Sequence, residues 1–195
     1  MKQLLVSIAL LFGTVLHAQD IPTSEKLEKE KGFGLLQLGA VYSKVKTILQ
    51  KDSIKKKDSF EPGAQTMKST RFIYLANLKI KECATFCGRA VARVEVWFTE
   101  HYNEEGEKTN DYEISEVKVF FKAVSDKDTK EFFDKLFNLY GVPTSLIYDT
   151  PEKGDTIITW FCSTVLMNGT SFRGDMASEE IKRDYFCVKF EASYG

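Results

Sequence analysis

The amino-acid sequence predicts an α+β fold: a two-layer sandwich whose antiparallel sheet of about six strands carries two main helices on one face. Three observations lead there. Six segments are rich in branched and aromatic residues, and three of them alternate apolar with charged side chains, the period of strands with one covered face. Two other segments space their apolar residues by three and four, the period of a helix. The order is helix, three strands, helix, three strands, which suits helices layered on an antiparallel sheet.

The chain opens on MKQLLVSIALLFGTVLHAQD. Lys2 precedes an apolar run from Leu4 to Leu16, and Ala18 suits signal-peptidase cleavage before Gln19. That run is about 13 residues, short of the roughly 20 that span a bilayer. No cysteine follows it to carry a lipid. Residues 1–18 therefore read as a signal peptide, and the rest is expected to be periplasmic or secreted, with no transmembrane span. Residues 19–31 read as a polar leader, either loose or a short helix. One α+β domain is expected over 32–195, with pseudo-repeats at 32–124 and 125–195. A single merged sheet and two small subdomains split near residue 124 both satisfy the pattern.

Within the domain, Phe33–Gly39 reads as a short strand ending in a turn. Val41, Val45, Ile48 and Leu49 then define one face of a first helix. A charge-rich loop follows at Lys51–Asp58, and Pro62-Gly63 marks a turn. Strands are expected at Arg71–Ile80, Val91–Phe98 and Ile114–Phe121. The second places Val94, Val96 and Phe98 opposite Arg93, Glu95 and Trp97; the third places Val117, Val119 and Phe121 opposite Glu116 and Lys118. Residues 103–111 read as their connecting loop, with His101 in an exposed loop-like stretch. The second helix is the clearest element, Asp126–Tyr140, with an apolar stripe of Phe132, Phe133, Leu136, Phe137 and Tyr140. Ser125 or Asp126 caps its start, Gly141 stops it and Pro143 follows. Three more strands are expected at Thr156–Cys162, Ser163–Met167 and Asp184–Glu191. Between the last two lies a polar excursion, with a turn at Asn168-Gly169-Thr170 and a short helix at Ala177–Lys182.

Counting residues excludes several chemistries. There are 27 Lys and Arg against 28 Asp and Glu, so no net charge draws the chain to nucleic acid or an acidic membrane. Removing residues 1–18 takes His17 away and leaves His101 as the sole histidine. Zinc sites built on two or three histidines are then impossible within one chain, and any Ser-His or Cys-His site must use His101. Phosphate-binding glycine loops, the G-x-S-x-G elbow and the H-E-x-x-H motif are absent. No catalytic, cofactor-binding or metal-binding residue is assigned. The four cysteines, Cys83, Cys87, Cys162 and Cys187, suit two disulfides in an oxidising compartment. The favoured pairing is Cys83–Cys87 and Cys162–Cys187.

The opening Phe33-Gly34-Leu35-Leu36-Gln37-Leu38-Gly39, followed by the Val45/Leu49 helix, resembles that of the β-lactamase-inhibitor-protein-like fold and the small outer-membrane-assembly lipoproteins. Leu139-Tyr140-Gly141-Val142-Pro143 followed by a strand bearing Trp160 is similar to many uncharacterised secreted Bacteroidetes α+β domain proteins. The resemblance implies non-catalytic binding or envelope assembly, with an envelope or secreted protein as partner. Trp97, Tyr102 and Trp160 are the candidate interface aromatics. Two further functions fit the residues: a small apolar-ligand carrier lined by Phe132, Phe133 and Phe137, and a histidine-poor glycan hydrolase using two carboxylates.

Overall fold

A computed structural model describes residues 25–51, 58–60, 69–121, 126–148, 156–172 and 185–193. The expected signal peptide, most of the expected Lys51–Asp58 loop, the expected Pro62-Gly63 turn, Ser125 and the expected Ala177–Lys182 helix lie outside these residues.

All six expected strands are present: β4 (Ser69–Leu75), β7 (Arg93–Tyr102), β8 (Lys108–Phe121), β10 (Thr156–Phe161), β11 (Val165–Phe172) and β12 (Tyr185–Ala192). Short strands β3 (Asp58–Phe60) and β9 (Ser145–Tyr148) complete the edges. The eight-stranded sheet has the order β3-β4-β7-β8-β12-β11-β10-β9, and every neighbouring pair is antiparallel. Its centre is the pairing of β8 with β12, from Phe121↔Phe186 to Glu116↔Glu191. The strands before and after residue 124 thus share one sheet. Two small hairpins lie apart from it, β1 (Gly32–Phe33) with β2 (Leu36–Gln37), and β5 (Thr85–Phe86) with β6 (Arg89–Ala90).

The helices are α1 (Glu25–Glu30), α2 (Tyr42–Val45), α3 (Lys81–Ala84) and α4 (Asp126–Tyr140). Only α4 is long, and it has the expected bounds. The expected first helix is instead the single turn α2 followed by a 3₁₀ turn at Lys46–Ile48. Val41 offers no side-chain cap, and Val45, Thr47 and Ile48 are branched at Cβ, which weakens a helix. Leu49 then turns extended and bridges Ala76. Val45 and Leu49 are buried as their spacing required, but on a shorter element.

Part of the expected leader is α1. Leu27 is buried in the main core. Glu28 accepts hydrogen bonds from Ser163 Oγ at 2.7 Å, Thr164 N at 3.2 Å and Thr164 Oγ1 at 2.5 Å. Burial alone would raise the pKa of Glu28, but these bonds outweigh it and hold the carboxyl below its usual range. Tyr140 at the end of α4 donates to Glu30 at 3.1 Å.

The core lies between α4 and one face of the sheet. Phe132 sits 4.7 Å from Phe186 and 4.9 Å from Phe121, centroid to centroid, and Phe133 sits 5.0 Å from Phe186. Asn168-Gly169-Thr170 is not a turn but the middle of β11, where Gly169 pairs with Val188 and Ile158. A Cβ on Gly169 would stand 3.3 Å from Phe133 Cε1 and 3.5 Å from Phe186 Cζ. The glycine makes room for α4 to approach the sheet. Two strand limits also differ from expectation. β4 ends at Leu75, because the chain turns through Asn77–Ile80 into α3, and β8 takes up Lys108–Asp111 from the expected loop.

Candidate interaction surface

Strand alternation divides the sheet into two faces. Val94, Val96, Phe98, Val117, Val119, Phe121, Phe186, Val188 and Phe190 point to the helix side and belong to the main core. The opposite face carries Arg93, Glu95 and Trp97 on β7, Phe120, Lys118 and Glu116 on β8, and Cys187, Lys189 and Glu191 on β12. Ile73, Phe120 and Cys187 are buried there, yet none belongs to the main core. The described helices touch the first face: Tyr42 of α2 meets Phe98, Phe132 of α4 meets Phe121, and Leu27 of α1 and Cys83 of α3 lie in the main core.

Register aligns this face in rows that cross the strands. Arg93, Phe120 and Cys187 form one row; Glu95, Lys118 and Lys189 the next; Trp97, Glu116 and Glu191 the third. Along the strands, opposite charges meet. Arg93 Nη2 is 3.0 Å from Glu95 Oε1, Lys118 Nζ is 2.8 Å from Glu116 Oε1, and Lys189 Nζ is 2.7 Å from Glu191 Oε2. The Lys118 contact is an ion pair only, because Glu116 Oε1 has no hydrogen-bond partner of proper direction among the described residues. Across β8 and β12, like charges are paired, Lys118 with Lys189 and Glu116 with Glu191. Direct like-charge pairs destabilise a sheet locally. Two cations lie over rings, Lys118 Nζ at 4.6 Å from the Trp97 centroid and Arg93 Cζ at 4.5 Å from that of Phe120. On β10, Phe161 continues the third row through Leu166 of β11 and is 53 % exposed.

The structure separates the three aromatic candidates. Trp97 is half-buried on the charged face, and its indole N–H is shielded from solvent with no acceptor among the described residues. Tyr102 is 51 % exposed near the end of the β7–β8 hairpin, where its OH donates to Glu100, which also accepts from Lys108 Nζ. Five positions along one strand put Trp97 and Tyr102 on opposite faces. Trp160 is not an interface residue. It is 2 % exposed, packs on Phe137 and Tyr140, and donates Nε1–H to Gly141 O at 3.0 Å. That bond links the helix-ending glycine to the tryptophan strand, the two parts of the motif noted in the sequence.

The expected disulfides are absent: all four cysteines are thiols. Cys187 pairs with Thr170 on β11, whereas Cys162 is level with Val165 on the same strand. Five residues along β11 are about 16 Å, and β11 itself lies between the two, whereas a disulfide needs Cα atoms about 4.4–6.8 Å apart. Cys83 is buried in the core under α3, and extended Thr85 carries the chain away to Cys87 in the β5–β6 turn. Burial pushes the Cys83 thiol up, the Cys87 thiol up to about 11 and the Cys187 thiol up to about 12. Such thiols are protonated at neutral pH and react slowly. Unfolding the protein without reductant should release four thiols to a colorimetric thiol reagent, with Cys187 unreactive at pH 7 while the fold is intact. Fewer than four would restore a disulfide.

His101 lies in β7 rather than in a loop, with Nδ1 2.7 Å from Glu113 Oε2. Beside it, burial would raise Asp111, but hydrogen bonds from Ser43 Oγ and Tyr112 N prevail, with help from His101, and hold its carboxyl low. Ser43 gives its proton to Asp111 and not to the imidazole, so the cluster primes no hydroxyl nucleophile. Three carboxyls among the described residues are shifted, Glu28, Glu100 and Asp111, and all three shift downward. A general acid at neutral pH needs the opposite shift. The Phe132, Phe133 and Phe137 stripe packs on Phe121, Phe186 and Trp160.

The residues that sequence reasoning passed over are the charged ones. Arg93-Val-Glu95, Glu116-Val-Lys118 and Lys189-Phe-Glu191 share a charge–apolar–charge pattern, and its order reverses in β8 because that strand runs the other way. Trp97 and Phe161 flank these charges; Tyr102 and Trp160 stand apart from them. No family model, curated protein or solved structure matches the chain.

Proposed function

We propose that the protein is a secreted or periplasmic, non-catalytic interaction module of the cell envelope. In this reading the fold is a two-layer sandwich, with helices on one side of the sheet and the contact surface on the other. One observation carries the proposal: the face on which no described helix packs bears an ordered charge array flanked by Trp97 and the exposed Phe161. Aromatic side chains that reach the surface are enriched at protein contacts, and charges at the rim of a contact set its register and partner. The packed helix–sheet core and the downward-shifted carboxyls favour binding over carriage or hydrolysis.

The test is quantitative capture with the tagged mature chain from its own envelope fraction, with the bound protein identified. Saturable binding is expected, weakened at least tenfold by Phe161→Ser, whose side chain is half-exposed, and unaltered by Tyr102→Ala on the other face. Weakening by Tyr102→Ala and none by Phe161→Ser would move the contact surface to the hairpin. No saturable partner, and no self-association, would end the reading.

A further inference from the structure

We infer that this face binds a second copy of the same chain, through a two-fold axis that lies in the plane of the contact and crosses the strands between the lysine and glutamate rows. The inference rests on the reading of this face as the contact surface and names its partner.

The argument starts from the banding. A sheet surface that only had to be soluble could alternate its charges both along and across the strands, and every neighbour would then attract. Here the alternation holds along the strands and from β7 to β8, where Glu95 stands beside Lys118, but it fails at the centre of the sheet. Across β8 and β12, Lys118 stands beside Lys189 and Glu116 beside Glu191. The result, over β8 and β12, is a pair of lysines next to a pair of glutamates. An isologous contact places one surface on an identical one, so it must be self-complementary.

The bands select between two possible axes. Rotation about a line across the strands, midway between the two bands, lays β8 over β8 and β12 over β12 with their directions reversed. Lys118 then faces Glu116 of the second copy, and Lys189 faces its Glu191. Rotation about a line along the strands, between β8 and β12, sets Lys118 over Lys189 and Glu116 over Glu191, which repels. Only the first axis uses the charge pattern. Each lysine is already 2.7–2.8 Å from a glutamate of its own strand, so each copy brings neutral pairs that extend into a four-charge network on contact. The same rotation sets Trp97 over Glu95 of the second copy and Phe161 over its Thr159, on either side of the lysine pair. The size is sufficient. The six longer strands give a face on the order of 700 Å², close to the roughly 800 Å² per partner of a stable complex.

The test is a charge swap at the more exposed pair, Lys189 and Glu191, read by analytical ultracentrifugation over a concentration series. The wild-type mature chain should sediment as a dimer, and its dissociation constant should rise with salt as the network is screened. Lys189→Glu alone and Glu191→Lys alone should each raise that constant roughly a hundredfold, because each homodimer then faces like charges. An equimolar mixture of the two variants should recover dimer, since glutamates at 189 and 191 in one copy meet lysines in the other. Circular dichroism shows whether each variant folds. The salt series on the wild type supplies a readout that needs no variant.

A wild-type chain that stays monomeric at every concentration overturns the inference. So does a dimer indifferent both to salt and to the two reversals, or a mixture that fails to recover while each variant is folded. A monomeric chain that still captures an envelope protein through Phe161 would overturn only the identity of the partner and leave the contact surface standing.

Discussion

Replacing Phe132 with alanine should lower the free energy of unfolding by about 3–5 kcal/mol. The ring is 1 % exposed and sits at the centre of the aromatic core, with Phe186, Phe121 and Phe86 at 4.7, 4.9 and 6.2 Å. The Arg89 guanidinium lies 5.6 Å from its centroid. Alanine would remove the ring from all of these neighbours at once. It would leave a cavity that Gly169 cannot fill and that α4 cannot close without losing its seat on β11 and β12. Urea unfolding should show a lower midpoint with an unchanged slope, since the surface exposed on unfolding is nearly the same. The thermal midpoint should fall by roughly 10 °C for a domain of this size. Phe132→Leu keeps most of the volume and should cost about 1–2 kcal/mol. Val142→Ser, at a position 67 % exposed, should stay within about 0.5 kcal/mol of wild type. If Phe132→Ala behaves like Val142→Ser, α4 does not pack where the structure puts it.

Trp160→Ala should destabilise by a similar amount, about 3–5 kcal/mol, for a partly different reason. The indole fills the space under Phe137 and Tyr140, and its N–H satisfies the carbonyl of Gly141 at the point where α4 stops. Gly141 holds φ +80°, a left-handed conformation suited to glycine at a helix end, and its own N–H bonds Phe137 O at 2.8 Å. Trp160→Phe separates the two contributions. It keeps much of the buried area but leaves the Gly141 carbonyl without this donor, a change of about 1–2 kcal/mol. Both variants should leave the opposite face, and therefore partner capture or dimerisation, unaffected at temperatures where the protein is folded. Failure of folded Trp160→Phe to capture its partner or dimerise would place Trp160 in the interface after all.

The two tryptophans expected to share one role end up in different places, and the reason is geometric. Trp97 and Trp160 both alternate with their neighbours in a strand. Alternation says that successive side chains face opposite ways, but not which way the core lies. Trp97 shares its side with Arg93 and Glu95, so its face is legible once the charges beside it are weighed. Trp160 is flanked by Thr159 and Phe161, and its side follows only from Met167 across the register on β11. The cysteines make the same point over a longer range. An even count in an exported chain suits disulfides, but bonding needs a distance, and the register of β10, β11 and β12 sets Cys162 and Cys187 too far apart.

By itself the sequence determined the six long strands, the bounds of α4 and its buried stripe, because each rests on a period read within one segment. It also determined the scarcity of histidine and with it the exclusion of several chemistries, since a count needs no fold. Only the tertiary structure decided that the two halves share a sheet, that Asn168-Gly169-Thr170 lies inside a strand and that the first helix is one turn long. The packing of α4 sets the first two: it needs a continuous sheet beneath it and a glycine where Phe133 descends. The charge bands belong to the same class. Two short charged patterns far apart in the chain become two opposed rows only when β8 and β12 align, because side-chain neighbours across a sheet are chosen by register and not by sequence distance.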